Sequence, residues 1–405
     1  MPDLTFVAAV IIFVATYAVI TLGKIPIYRL DRAGAALLGG SLMVASGVLT
    51  IEEAYTAIDF GTITLLLGMM IVVANLRISG FFRVVTGWIS THVRRPLTLL
   101  ISVVLASGFL SAFLVNDTIC LVMTPLVIEI VTRVKRSPIP YLVAVATASN
   151  VGSLATITGN PQNIIIASLS QIPYGVFAGK LAPIAAIGLF IVVLLIALLH
   201  RNEFFTRALI EKTAMPTHYH GPLMAKTLIV MAIMVVCFFL GQPVAKVAIV
   251  GGAFLLLTRR VKPEKIYIDI DWPLLVMFIG LFVVVAGFEK MVINPEVDVM
   301  ARRLHLDNTV MLAAITAVLS NIVSNVPAVL LLKPFVPNLY DPQRAWLVIA
   351  MAATLAGNFT LVGSVANLIV AQRAKARGVK IGFWSYFVVG APLTALTILI
   401  GLLWL

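Results

Sequence analysis

Asn150, Ser153, Thr156, Thr158, Asn160, Gln162 and Asn163 crowd into one apolar run of the chain, together with Gly159 and Pro161. Amide side chains both donate and accept hydrogen bonds. A proline removes a link from the helical ladder, so the backbone beside it can bind something other than itself. Hydrocarbon tolerates neither feature unless it lines a protein cavity. The spacing therefore predicts a substrate or ion site at membrane depth. A second constellation is Asn116-Asp117-Thr118, in another apolar run. A carboxyl placed there is costly and usually functional, which makes Asp117 the candidate proton carrier. Packing glue between helices is the competing reading of buried amides. One or two amides would suit it; this density does not.

A weaker copy of both constellations lies further on. Ser324-Asn325 matches the first tip, and Asn358, Thr360, Gly363, Ser364 and Asn367 match the amide stretch. Val326 stands where Asp117 would recur, so one titrating group is expected rather than two equivalent cation sites. No metal set is expected. Cys120 and Cys237 lie in separate apolar segments and form neither a disulfide framework nor a metal motif, and His218 and His220 fall in a loop.

The elements that must hold these residues follow from composition. Of 405 residues, 61% are hydrophobic and 11% charged, against about 25% charged in an average soluble domain. Many separate apolar runs, continuous rather than alternating, predict transmembrane helices and exclude a β-barrel. The net charge of +12 sits mostly in short loops, which is the positive-inside pattern and calls for the lipid bilayer, not nucleic acid.

Spans are predicted at about 4–22, 33–50, 58–76, 141–168, 174–199, 224–241, 244–258, 272–289, 345–371 and 383–405, with paired segments at 97–134 and 308–339. Basic clusters at Lys24, Arg29 and Arg32, at Arg77 to Arg95, at Arg133 to Arg136, at Arg201, Arg207 and Lys212, at Arg259 to Lys265 and at Arg373 to Lys380 mark one side. Glu52, Glu53 and Asp59 mark the other. The alternation places both termini outside the cytoplasm. It also requires the 97–134 pair to enter and leave on the same face, as a re-entrant hairpin with Asn116-Asp117 at its tip. Lys333 is expected to snorkel to the interface, Glu129 to pair with the Arg133 cluster, and Glu289-Lys290 to close a span at the interface.

Self-similarity organises the whole chain. Gly39-Gly40, Asp59 and Gly68 align with Gly251-Gly252, Asp271 and Gly280 at one separation. Ser111, Asn116 and Pro125 share their spacing with Ser320, Asn325 and Pro334. Thr156, Gly159 and Asn163 share theirs with Thr360, Gly363 and Asn367. The expected architecture is an all-α polytopic membrane protein, an inverted repeat of about five transmembrane helices plus one re-entrant hairpin each, with two broken helices at the midplane. Residues 1–200 form the first repeat (hairpin 97–134, broken helix 141–168) and 201–223 a cytoplasmic linker. Residues 224–405 form the second (hairpin 308–339, broken helix 345–371). Such repeats with discontinuous helices characterise secondary transporters.

Enzymatic readings fall away. The chain has no G-x-x-x-x-G-K-[ST] phosphate loop, H-E-x-x-H pair or G-x-S-x-G elbow. One buried Asp does not make an intramembrane protease, and no cofactor is called for.

Val115-Asn116-Asp117-Thr118 with Thr124-Pro125, the block Asn150-Val151-Gly152-Ser153 to Gly159-Asn160-Pro161-Gln162-Asn163, and Ser324-Asn325-Val326-Pro327 resemble the ion transporter superfamily. Within it the pattern is most similar to arsenite-antimonite efflux permeases and related anion permeases. The resemblance implies a homodimer whose transport domain moves as an elevator, proton-driven export, and in some members a separate cytosolic ATPase subunit. Dicarboxylate carriers of the superfamily use Ser-Asn-Thr at both tips, which this chain lacks. The expectation is therefore proton-coupled efflux of arsenite or antimonite across a bacterial or archaeal cytoplasmic membrane. The alternative is a sodium- or proton-coupled carrier of organic or inorganic anions, or a sodium/proton antiporter. No arginine is expected beside either broken helix, which favours an uncharged trihydroxide over a di- or tricarboxylate.

Overall fold

The computed structural model describes residues 4–22, 24–25, 30–206, 209, 219–258, 261–293 and 297–405. Arg29, Arg207, Lys212, His218, Arg259 and Arg260, and with them much of the expected linker, lie outside these.

The described chain is helical apart from one two-residue β-ribbon, Lys24–Ile25 with Leu30–Asp31. The first ten helices are α1 Leu4–Leu22, α2 Arg32–Ala45, α3 Ile51–Ala57, α4 Phe60–Ser79, α5 Phe81–His92, α6 Pro96–Phe113, α7 Asn116–Arg133, α8 Pro138–Ser153, α9 Pro161–Ser170 and α10 Tyr174–Leu199. After a short α11, Arg201–Phe204, the same order of long, short and interrupted elements returns. It runs α12 Gly221–Phe239, α13 Val244–Leu256, α14 Pro263–Tyr267, α15 Trp272–Phe288, α16 Val297–Arg303, α17 Thr309–Val323, α18 Asn325–Leu332, α19 Pro342–Ala356, α20 Val365–Lys375 and α21 Phe383–Trp404. Among the described residues, 7 helices are long and apolar enough to span a membrane. The protein is a polytopic helical membrane protein.

Close packing joins the two halves crosswise, α2 on α15 and α13 on α4. Lipid is as apolar as leucine, so helices associate in it by close backbone approach at small residues rather than by hydrophobic burial. That is where the aligned glycines sit. A methyl at Gly280 would strike the Ala36 backbone, and one at Gly68 the Ala248 backbone. Gly40 meets Gly280 and Gly252 meets Gly68. Asp59 and Asp271 cap α4 and α15, each accepting a backbone N–H from the first turn.

The two interruptions are built from recognisable caps. Past Ser153 a single 3₁₀ turn, Ile157–Gly159, leads to Asn160, whose side chain accepts the Asn163 N–H at 2.8 Å. Pro161 follows at the first helical position, where no N–H is needed. At the second interruption Ser364 caps α20 by accepting the Ala366 N–H at 3.2 Å. The hairpin tips differ. Leu114-Val115 joins α6 to α7 in extended backbone, whereas Ser324, between α17 and α18, has φ 78 and ψ 161. That region is essentially reserved for glycine and costs about 1–3 kcal/mol.

The expected ion pairs are refined by the structure. Arg133 bonds Glu129 at 2.8 Å. Lys333 does not simply snorkel; it pairs with Glu289 at 3.2 Å. Lys290 reaches Glu53 at 2.7 Å, and this bond holds the Glu53 carboxyl below its usual range.

Candidate functional site

Four helix N-termini face one another where the interruptions and tips meet: α7 at Asn116, α9 at Pro161, α18 at Asn325 and α20 at Val365. Each brings unpaired backbone N–H groups and the positive end of a helix dipole. Between them lies a cavity of about 50 Å³. Asn116, Asp117, Gln162, Ser324, Asn325 and Ser364 line its polar part, and Phe278 and Met277 of α15 its apolar wall.

Beneath the cavity the amides form one buried network centred on Asn150. Its Oδ1 accepts from Asn116 Nδ2 at 3.0 Å and from Ser364 Oγ at 3.2 Å. Its Nδ2 donates to Asn358 Oδ1 at 3.1 Å and Asn367 Oδ1 at 3.0 Å. One side chain thus ties the first hairpin and first interruption to the second. Asn163 Nδ2 donates to the carbonyls of Ser153 and Thr156, and Asn367 Nδ2 to those of Gly357 and Thr360, so each interruption is closed by the equivalent amide. Asn160 bonds Ser153 Oγ at 2.9 Å, and both Asn160 and Gln162 donate to Thr354 Oγ1. At the tips Ser111 bonds Ser149 at 2.7 Å, and Ser320 donates to Asn325 Oδ1 at 2.6 Å. Asn116 Oδ1 and Asn358 Nδ2 are buried with no protein partner, leaving an acceptor and a donor beside Asn150.

The sequence-predicted residues divide by position. Asn116, Asp117, Gln162, Ser324, Asn325 and Ser364 reach the cavity; Asn150, Ser153, Asn160, Asn163, Asn358 and Asn367 form the network around it. Thr156 and Thr158 turn away, to the Ala112 carbonyl and the Tyr174 hydroxyl. Thr360 contributes its carbonyl. Gly159 and Gly363 give close passage past Ser153 and Asn321. Thr118 is half-buried and joins neither group.

Arg32 corrects the sequence reading. It lines the same cavity as Asp117, Pro161, Gln162 and Ser364, so an arginine does stand beside the broken helices. It counted as a loop residue because it closes a basic cluster. Its place as the first residue of α2, with Asp31 capping it, was the available signal. Thr354, the shared acceptor, was also missed. A lone threonine in an apolar helix usually bonds its own backbone, and nothing local distinguishes this one.

A second cavity of about 1350 Å³ lies beside α7, bordered by Arg77, Arg83, Arg133, Arg373 and Arg377. Its upper lining, Leu121 and Val122, is one helical turn below Asp117. It opens among the basic clusters.

This polytopic helical bundle, with two interrupted helices and a buried polar cavity between them, is by its family and relatives a membrane transporter, not an enzyme. The chain belongs to the citrate transporter family, whose model matches residues 10–343 and 309–405. An uncharacterized transporter of Mycobacterium bovis is 30% identical over 98% of this chain and 97% of its own length. The silicon efflux transporter LSI3 of Oryza sativa is 28% identical over 94% of this chain and 93% of its own. The fold is that of the YdaH transporter of Alcanivorax borkumensis, with a TM-score of 0.63 at 15% identity over 99% of this chain and 97% of that one.

Proposed function

We propose that this chain exports arsenite or antimonite across a prokaryotic cytoplasmic membrane in exchange for protons, with Asp117 carrying the proton. The observation that carries the reading is the cavity itself, a single carboxyl among amides and hydroxyls at the meeting point of both tips and both interruptions. Its size supports a small cargo. At roughly 10–15 Å³ per enclosed water on this kind of measure, about 50 Å³ holds a few water-sized groups. That suits a central atom bearing three hydroxyls and falls short of a tricarboxylate. Asn116, which lines the cavity, has in its unpartnered Oδ1 an acceptor for such a solute. A relative named for silicon efflux is consistent, since silicon and arsenic(III) both occur in neutral water as uncharged polyhydroxides.

In this reading the halves 1–200 and 224–405 are inverted copies, each with an odd number of crossings, and both termini lie outside. Residues of α6–α9 and α17–α20 move as one body past a scaffold held by the α2–α15 and α4–α13 contacts. The second tip rests on the basic-loop end of α1, where the Tyr17 hydroxyl donates to the Pro327 carbonyl at 3.3 Å, while the first hairpin borders the large cavity. The state is therefore read as facing the cytoplasm.

Arg32 and the four helix N-termini favour a second reading, a carrier of a small anion. Uptake into everted vesicles with an acidified lumen separates the two. Arsenite that accumulates only while the gradient lasts supports the first; citrate or sulfate accumulation in its place refutes it.

A further inference from the structure

Asp117 sits in the first turn of α7, whereas the arginine lining the same cavity, Arg32, belongs to α2. Arg32 stands at the start of α2, and Asp271 caps α15, whose Leu274, Met277 and Phe278 form the cavity's apolar wall. The other residues lining the cavity, from α1, α9, α15, α18 and α20, are uncharged. Arg83 of α5 and Arg373 of α20 open into the larger cavity further down α7. Ile20, Arg32, Leu274 and Phe278 all lie near the ends of scaffold helices that carry basic loops, which is where the tips now rest.

The repeat says what the tips would meet at the other end. This step rests on the inverted-repeat reading proposed above. Exchanging the halves at the separation that aligns Gly40 with Gly252 puts Asp59 in place of Asp271 and Leu66 in place of Phe278. Val244, the first residue of α13, takes the place of Arg32, the first residue of α2. The acid recurs and the arginine does not.

We propose that Arg32 is a positioning residue for proton exchange, a counter-charge that Asp117 meets only when the tips face the basic-loop side. A guanidinium stays charged throughout, and it favours the ionised form of a neighbouring carboxyl. At the Arg32 end the proton therefore leaves Asp117 for the water of the arginine-lined cavity, and the carboxylate remains. At the Val244 end the carboxyl faces valine, leucine and Asp59, and takes a proton from the outer water. The arginine eases release at its own end, and the transmembrane pH gradient sets the direction of net flow, protons inward and cargo outward.

The test uses the full chain in proteoliposomes, measured in two modes: arsenite exchange at equal pH on both sides, and uptake driven by a pH gradient. R32Q loses the gradient stimulation measured relative to its own exchange rate, and R32K keeps the wild-type ratio of the two. R32Q with wild-type stimulation overturns the proposal. So does loss of exchange in R32Q with R32K normal, which would make Arg32 a ligand of the cargo. A wild type that exchanges no arsenite refutes the transport reading instead, leaving the two failures distinct. Should R32Q not fold, the mirror state is tested directly. V244C/V326C, with Cys120 and Cys237 replaced by Ala, becomes cross-linkable by a short bis-maleimide during turnover. Absence of that cross-link, with the protein active, overturns the proposal.

Discussion

Asn150 holds the halves of the site together with both ends of one amide, and Asn150→Ala should release them. The variant removes four hydrogen bonds, to Asn116, Ser364, Asn358 and Asn367. Interhelical hydrogen bonds in membranes average about 0.6 kcal/mol each, which sets a floor near 2 kcal/mol. Three groups are then stranded in the protein interior, Asn116 Nδ2, Asn358 Oδ1 and Asn367 Oδ1, at about 1–3 kcal/mol apiece. The other amide atom of Asn116 and of Asn358 already lacks a partner. The expected loss is therefore about 3–9 kcal/mol, read from denaturant unfolding of the purified protein. Asn150→Asp separates size from polarity. A carboxylate still accepts from Asn116 and Ser364 but turns an oxygen toward those of Asn358 and Asn367, so it should be no more stable than the alanine variant. A cycle combining Asn150→Ala with Asn358→Ala should show a coupling of about 0.5–3 kcal/mol. A loss within about 0.5 kcal/mol, the range of an ordinary surface change, would refute the claim that this network joins the halves.

Gly68→Ala and Gly280→Ala should each cost about 1–3 kcal/mol, because the added methyl meets rigid backbone; Gly47→Ala, which has open space but φ +74, should lose stability through backbone strain alone. Ser324→Gly should stabilise the fold by about 1 kcal/mol by relieving its φ of 78, while slowing transport through loss of the cavity hydroxyl; unfolding and uptake assays read the two effects separately. Lys333→Ala should change stability by less than about 1 kcal/mol, since its pair with Glu289 is partly exposed. The Lys290 bond that keeps Glu53 ionised favours folding above the usual carboxylate range, and the benefit is lost as pH falls through the lowered value. Glu53→Gln should flatten that acid limb of a thermal-stability profile.

Much of the fold was legible because hydrocarbon is a strict solvent. Apolar run length anticipated the seven long apolar helices, the 97–134 segment turns at Leu114-Val115 between two helices, and Gly159-Asn160-Pro161 announced an interruption that lies at Ser153 to Pro161. The amides were legible for the same reason, since Asn150, Asn163 and Asn367 have no ordinary place in an apolar helix. What stayed hidden depends on the third dimension. Arg32 reads as a loop cation until α2 is packed on α15 and its first residue is carried to the tips. Thr156 and Thr158 read as cavity hydroxyls until the 3₁₀ turn aims them at Ala112 and Tyr174. The Ser324 backbone gives no compositional sign, as glycine would have done.

The account stands most directly on a proton flux measured against the cargo. In proteoliposomes of the purified protein carrying a pH-sensitive dye, an arsenite gradient should drive protons in the opposite direction, and Asp117→Asn should abolish that flux while leaving arsenite exchange at equal pH. Arsenite movement with no accompanying proton flux, or a flux unchanged in Asp117→Asn, would contradict it.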